Sequence, residues 1–156
     1  MSPRVRHVLI IAAGVTSLAP AVWWIVGWLP SEVAADYYAD YLVRPLRLPA
    51  FLEPAIGLLS VLVAGFAASE LHRCGRSGEL RQEWLQVVAA FSAITTLGGL
   101  TYRIVTEPVS GANIGGGLLI LFAMPFTAGM LLWAGLALNM LRRPAPDRTQ
   151  WTRHMD

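Results

Sequence analysis

Four long apolar stretches, separated by short polar connections, dominate the sequence: residues 8–29, 51–71, 84–105 and 111–141. About 20 apolar residues suffice for a helix to cross the hydrocarbon of a bilayer. The pattern therefore predicts an all-α integral membrane protein, a four-transmembrane-helix bundle over residues 1–141 followed by a polar cytoplasmic tail over residues 142–156. The first stretch exceeds the apolar core of a signal peptide, about 7–15 residues, so we expect it to be a membrane span.

Composition agrees with lipid as the solvent, because only 14% of the 156 residues are charged, against about 25% in ordinary soluble domains. All basic residues are arginines, which is typical of a GC-rich bacterial coding bias. Nine lie on the side that holds both termini: Arg4, Arg6, Arg73, Arg76, Arg81, Arg142, Arg143, Arg148 and Arg153. Three lie on the other side: Arg44, Arg47 and Arg103. This asymmetry predicts cytoplasmic termini in the cell inner (plasma) membrane and explains the basic balance without a nucleic-acid partner.

The connection between the first two spans, residues 30–50, has its own pattern. Ser31 is a helix-capping residue type, and Asp36 and Asp40 are four residues apart, as are Tyr37 and Tyr41. This spacing predicts a short amphipathic helix on the outer interface, with its tyrosines toward lipid headgroups. The alternative is that the aspartates and tyrosines bind a cation or another ligand.

Small and polar residues recur at helical spacing in the later spans, where they favour close helix packing. The second span carries Gly57, Ser60, Ala64 and Ala68, and the third carries Ser92, Thr96, Gly99 and Arg103. Gly111 and Gly115 begin the fourth span with the small-xxx-small spacing. We therefore expect the lipid bilayer as the surroundings, and either self-association or a membrane-protein partner through the small-residue faces.

The short connection between the second and third spans predicts that these two helices form a tight hairpin. Counted from that turn, Glu53 and Arg103 rise to the same level, about 25 Å away at 1.5 Å per residue. An arginine at the edge of hydrocarbon is costly unless it is paired or reaches water. The hypothesis is an ion pair between Arg103 and Glu53, with Glu107, one helical turn beyond Arg103, as the competing partner.

Two interpretations of this cluster follow. In the first, which we favour, Arg103 is an interhelical clamp that orders the outer end of the bundle. In the second, it belongs to a polar outer pocket for a small anionic or lipid-like molecule, because arginine suits carboxylates and phosphates. The wall of that pocket would consist of Glu53, Tyr102, Arg103, Glu107 and Asn113, and its lid of Asp36, Asp40 and Arg44.

Other chemistries are disfavoured by residue type and spacing. The three histidines lie at the cytoplasmic edge, Cys74 is the single cysteine, and the spacing predicts no metal site and no cofactor. We therefore expect a small non-enzymatic accessory subunit or partner-binding scaffold. The alternative is a binder, carrier or enzyme that uses the outer pocket, and the environment of Arg103 discriminates between the two.

Overall fold

The computed structural model describes residues 3–27, 39–40, 42–43, 48–49, 51–78, 80–107, 109–110 and 114–142. Its helices are α1 (Pro3–Gly27), α2 (Leu52–Arg76), α3 (Gln82–Thr106) and α4 (Ile114–Arg142). All four are long and apolar enough to cross a membrane, which confirms the expectation of four apolar helices. The bounds differ at the polar ends: α1 begins at Pro3, a residue type suited to the first helical position, before the expected residue 8.

Helix α1 packs against both α2 and α3. Trp24 meets Gly57, and Gly14 meets Ala67, so the numbering falls along α2 as it rises along α1. These two helices are therefore antiparallel. Their contacts depend on small residues: a Cβ at Gly57 would overlap the Trp24 ring, and one at Gly14 would overlap the Ala67 methyl group.

Helices α1 and α3 are parallel. Ala19 meets Gly99, and Gly27 meets Arg103, so the numbering rises along both helices. At the first of these contacts a Cβ on Gly99 would lie 2.9 Å from the Ala19 Cα and still closer to its carbonyl oxygen, which leaves room for glycine alone. Helix α3 packs along α4 on its other side, and α2 and α3 do not pack along one another.

The order of neighbours across the described residues is thus α2, α1, α3, α4, an open row rather than a closed bundle. The predicted hairpin between α2 and α3 is wrong. Their connection is short, but it constrains only the ends it joins, and α1 packs between them through its glycine contacts. We call the end that carries the C-termini of α1 and α3 the Arg103 end, and the opposite end the Cys74 end.

The predicted small-residue faces are correct in part. On α2 the buried positions include Gly57, Ser60 and Ala67, whereas Ala68 is exposed. On α3, Gly99 is buried and Thr96 is exposed. Ala68 lies one residue beyond the buried Ala67, which is a rotation of about 100° in a helix with 3.6 residues per turn.

Helix α4 buries a single line of small residues, Gly116, Ala134 and Ala137, and it packs along α3. Gly115 does not pack within this chain, because it is exposed and a Cβ there would meet nothing within 4 Å, and its packing against a partner stays a prediction. Its partner in that motif, Gly111, lies outside the described residues. The rest of α4 presents large apolar side chains outward, including Phe122 and Leu132.

Two short strands tie the connections together at the Arg103 end. Strand β1 (Ala39–Asp40) pairs antiparallel with β2 (Val109–Ser110), with Ala39 opposite Ser110. The Val43 N–H also donates to the Val105 carbonyl at 3.1 Å. The described residues 39–43 of the connection from α1 to α2, apart from residue 41, therefore lie beside the end of α3. The predicted amphipathic helix does not include Asp40, whose backbone is extended, and Asp36 lies outside the described residues.

Candidate functional site at the Arg103 end

Arg103 lies in the last turn of α3, and its guanidinium group packs against the last residue of α1. A Cβ at Gly27 would lie 3.2 Å from Arg103 Cζ, and Arg103 Nη2 donates a long hydrogen bond of 3.5 Å to the Gly27 carbonyl oxygen. The last carbonyls of a helix lack intrahelical donors and carry partial negative charge. Arg103 therefore stabilises the C-terminus of α1, a role that the sequence did not suggest.

Glu107 is the acidic partner of Arg103 among the described residues. Its Oε1 lies 3.9 Å from Arg103 Nη2, and the two side chains are 35% and 19% exposed respectively. The pair is thus partly screened from solvent, so its attraction is less weakened than that of a fully exposed pair. Arg103 Nε is buried without a hydrogen-bond partner. The guanidinium group is engaged through Nη2, between a helix end and a carboxylate.

The proposed ion pair between Arg103 and Glu53 is wrong. Glu53 is exposed in the first turn of α2 and forms no ion pair among the described residues. Helix length predicted the height of Glu53 along the helix axes. It did not determine which helix lies beside α3. Because α1 separates α2 from α3, the C-terminus of α1 takes the place that Glu53 was expected to fill. The competing partner, Glu107, is the one that the structure brings to Arg103.

The remaining predicted site residues are only partly described. Tyr102 contacts Trp23 of α1 edge to face, with ring centroids 6.4 Å apart. Asp40 is described through its backbone in β1. The other three, Asn113, Asp36 and Arg44, lie outside the described residues. The structure thus groups Tyr102, Arg103 and Glu107 at one helix end, while the predicted pocket wall lacks Glu53.

A crevice of about 230 Å³ opens between α1 and α3 beside this cluster. Its lining is apolar apart from the polar tips of two aromatic rings: Ala19, Pro20, Trp23, Leu48, Gly98, Gly99 and Tyr102. No pattern in the sequence predicted this crevice. The sequence features that line the crevice are the glycine pair Gly98-Gly99 and the bulky Trp23, one helical turn after Pro20. Neither feature indicates that α1 and α3 are neighbours.

The Cys74 end carries a second polar contact that the sequence did not predict. Cys74 is a buried free thiol whose Sγ lies 3.6 Å from Nε2 of His7 on α1. Nearby, Arg73 pairs with Glu70 at 2.9 Å on the surface of α2. Within the described ranges, no cluster of three or more His, Cys, Asp or Glu residues could hold a metal ion. The thiol–imidazole contact joins the first turns of α1 to the last turns of α2.

Comparison of the chain with protein-family models, curated proteins and solved structures found no match. The functional argument therefore depends on the geometry of this chain alone.

The clamp makes a graded prediction for three variants. Glu53→Gln should lower the free energy of unfolding least of the three, because the exposed Glu53 has no ionic partner in the described structure and loses only its interaction with the N-terminus of α2. Glu107→Gln should lower it by about 0.5–1 kcal/mol, the range for a partly exposed pair. Arg103→Gln should lower it further, because the end of α1 also loses its donor. Reversible unfolding in detergent micelles measures all three. A loss for Glu53→Gln as large as that for Glu107→Gln would contradict this assignment.

Proposed function

We propose that this chain is a multi-pass protein of the cell inner (plasma) membrane with both termini in the cytoplasm, where it acts as a non-enzymatic accessory subunit or partner-binding scaffold. Four helices that are long and apolar enough to span a membrane support the placement. The arginine asymmetry supports the orientation, since the Cys74 end and both terminal segments carry nine of the twelve arginines. The Arg103 end would then face away from the cytoplasm.

The observation that carries the scaffold proposal is the uncovered face of α4. Leu118, Phe122, Gly129, Leu132 and Leu136 follow one another at intervals of three, four or seven residues, and all are exposed. This spacing places them on one face of the helix, opposite the buried Gly116 and Ala134. That face presents large apolar side chains around one glycine and has no neighbour among the described elements, so it is open to another helix. Because α4 ends the row, a further helix could pack there without displacing any element of this chain.

The state of Arg103 also favours a scaffold over an enzyme or anion carrier. Its guanidinium group contacts the Gly27 carbonyl and the Glu107 carboxylate, and four-fifths of the side chain is covered. An anionic ligand would have to compete with both of these acceptors. The environment of Arg103 was expected to discriminate between the two interpretations. It supports the interhelical clamp more than a pocket for a small anionic molecule.

The orientation is testable with reporters fused after Asp156. A green fluorescent protein fusion should be fluorescent and an alkaline phosphatase fusion inactive, because the tail is expected in the cytoplasm, where phosphatase disulfides do not form. A phosphatase fused after Pro108, in the connection between α3 and α4, should be active. The reverse pattern for the two phosphatase fusions would overturn the orientation while leaving the helix row intact.

Assembly through α4 is testable by photo-cross-linking in native membranes. A photoreactive residue at Leu132 should give one discrete adduct of higher mass, and Gly129→Trp should abolish it by obstructing the same face. The matched control is Gly65→Trp on α2. A Cβ at either glycine would meet nothing within 4 Å, so neither substitution should disturb the packing of the chain itself.

The mass of the adduct distinguishes a second copy from a different membrane protein, and both agree with the scaffold proposal. Absence of any protein adduct at Leu132, or equal loss in Gly129→Trp and Gly65→Trp, would contradict assembly through this face.

A further inference from the structure

We propose that the crevice between α1 and α3 holds one acyl chain of a membrane phospholipid. This inference rests on the membrane placement proposed above, but not on the scaffold role. The crevice is the one described near the Arg103 end, about 230 Å³ in volume. Four apolar or glycine residues of the two helices line it together with Trp23, Tyr102 and Leu48, and Leu48 belongs to the connection between α1 and α2.

The crevice exists because the close contacts between the two helices leave space beside them. Ala19 and Gly99 are in direct backbone contact, which fixes the separation of the helix axes. Gly98, the next residue, lines the crevice, and a Cβ there would meet nothing within 4 Å. The edge contact between Trp23 and Tyr102 forms one wall. The space is therefore bordered mainly by helix backbone and packed rings, and Leu48 is the one flexible aliphatic side chain in the described lining.

Water is a poor occupant of this space. A bound water normally makes two to four hydrogen bonds to polar groups, and the lining offers only the polar tips of Trp23 and Tyr102. An empty crevice would forfeit the dispersion contacts of every lining atom. Because α1 and α3 are apolar enough to span a membrane, the crevice between them would lie beside the hydrocarbon of the bilayer. A methylene chain is the chemistry that fills a narrow apolar crevice open to lipid without needing a polar partner.

The charges around the crevice indicate that the acyl chain of the lipid, and not its headgroup, is recognised. Among the described residues, no charged side chain lines it. Of the two arginines that adjoin a lining residue in sequence, Arg47 lies outside the described residues, and Arg103 already contacts the Gly27 carbonyl and Glu107. An anionic headgroup above the crevice would meet the Glu107 carboxylate as well as the guanidinium group. Binding should therefore be similar for zwitterionic and anionic phospholipids.

The experiment measures retained lipid by native mass spectrometry. The full chain is reconstituted with dioleoyl phosphatidylcholine or dioleoyl phosphatidylglycerol, extracted and washed in a mild detergent. We expect one bound lipid per protein in both preparations. Gly98→Leu, which fills the crevice from open space, should reduce the retained lipid about tenfold, because the loss of roughly ten heavy-atom contacts at about 0.1–0.2 kcal/mol each corresponds to a tenfold change in affinity. Gly65→Leu on α2, equally open but remote from the crevice, should retain it.

Each other outcome overturns the inference. If Gly98→Leu and the wild type retain the same amount of phospholipid, or if neither retains any, the crevice does not bind an acyl chain. Retention of phosphatidylglycerol alone, lost in Arg103→Gln but kept in Gly98→Leu, would identify a headgroup site instead. Alkaline carbonate extraction separates the two levels of failure: a protein released from membranes refutes the membrane placement, whereas an embedded protein without retained lipid refutes only the crevice.

Discussion

The close backbone approach of α1 to two other helices is the constraint on which the rest of the structure depends. It is made at Gly14 and Gly57 on the α2 side and at Gly99 on the α3 side, where any larger residue would overlap a neighbour. Between apolar helices in lipid the hydrophobic effect gives no preference for protein over solvent, so association depends on close packing and a few polar contacts. Three glycines placed at these contacts thus position α1 between α2 and α3.

The polar contacts of the structure follow from that position. With α1 parallel to α3, the C-terminus of one helix lies beside the last turn of the other, and Arg103 finds the Gly27 carbonyl there. With α1 antiparallel to α2, His7 lies beside Cys74 at the opposite end. A polar contact of α1 at each end thus accompanies the glycine contacts between them. The same geometry leaves the crevice beside Ala19 and leaves α4 with a single neighbour along its length.

The sequence was sufficient to predict the helices, because runs of this length and hydropathy are incompatible with other structures. It was insufficient to predict their neighbours. An apolar helix in a membrane has no polar face to mark its outside, so the small residues around Gly57 indicate a close contact without naming the partner. The short turn between α2 and α3 suggested adjacency, and this led to the incorrect pairing of Glu53 with Arg103. Glu107 was identifiable as a candidate because i, i+4 geometry is local to one helix. The crevice depends on two helices distant in sequence, and no local pattern reveals it.

The account is tested most directly by short-range cross-linking in membranes, on a Cys74→Ala background that removes the single native thiol. Cysteines at Trp23 and Tyr102, whose rings now meet at 6.4 Å, should be joined in high yield by a short bifunctional thiol reagent. Cysteines at Glu53 and Arg103 should not be joined, because α1 lies between their helices. Efficient cross-linking of the Glu53 and Arg103 positions, with none between the Trp23 and Tyr102 positions, would contradict the position of α1 between α2 and α3.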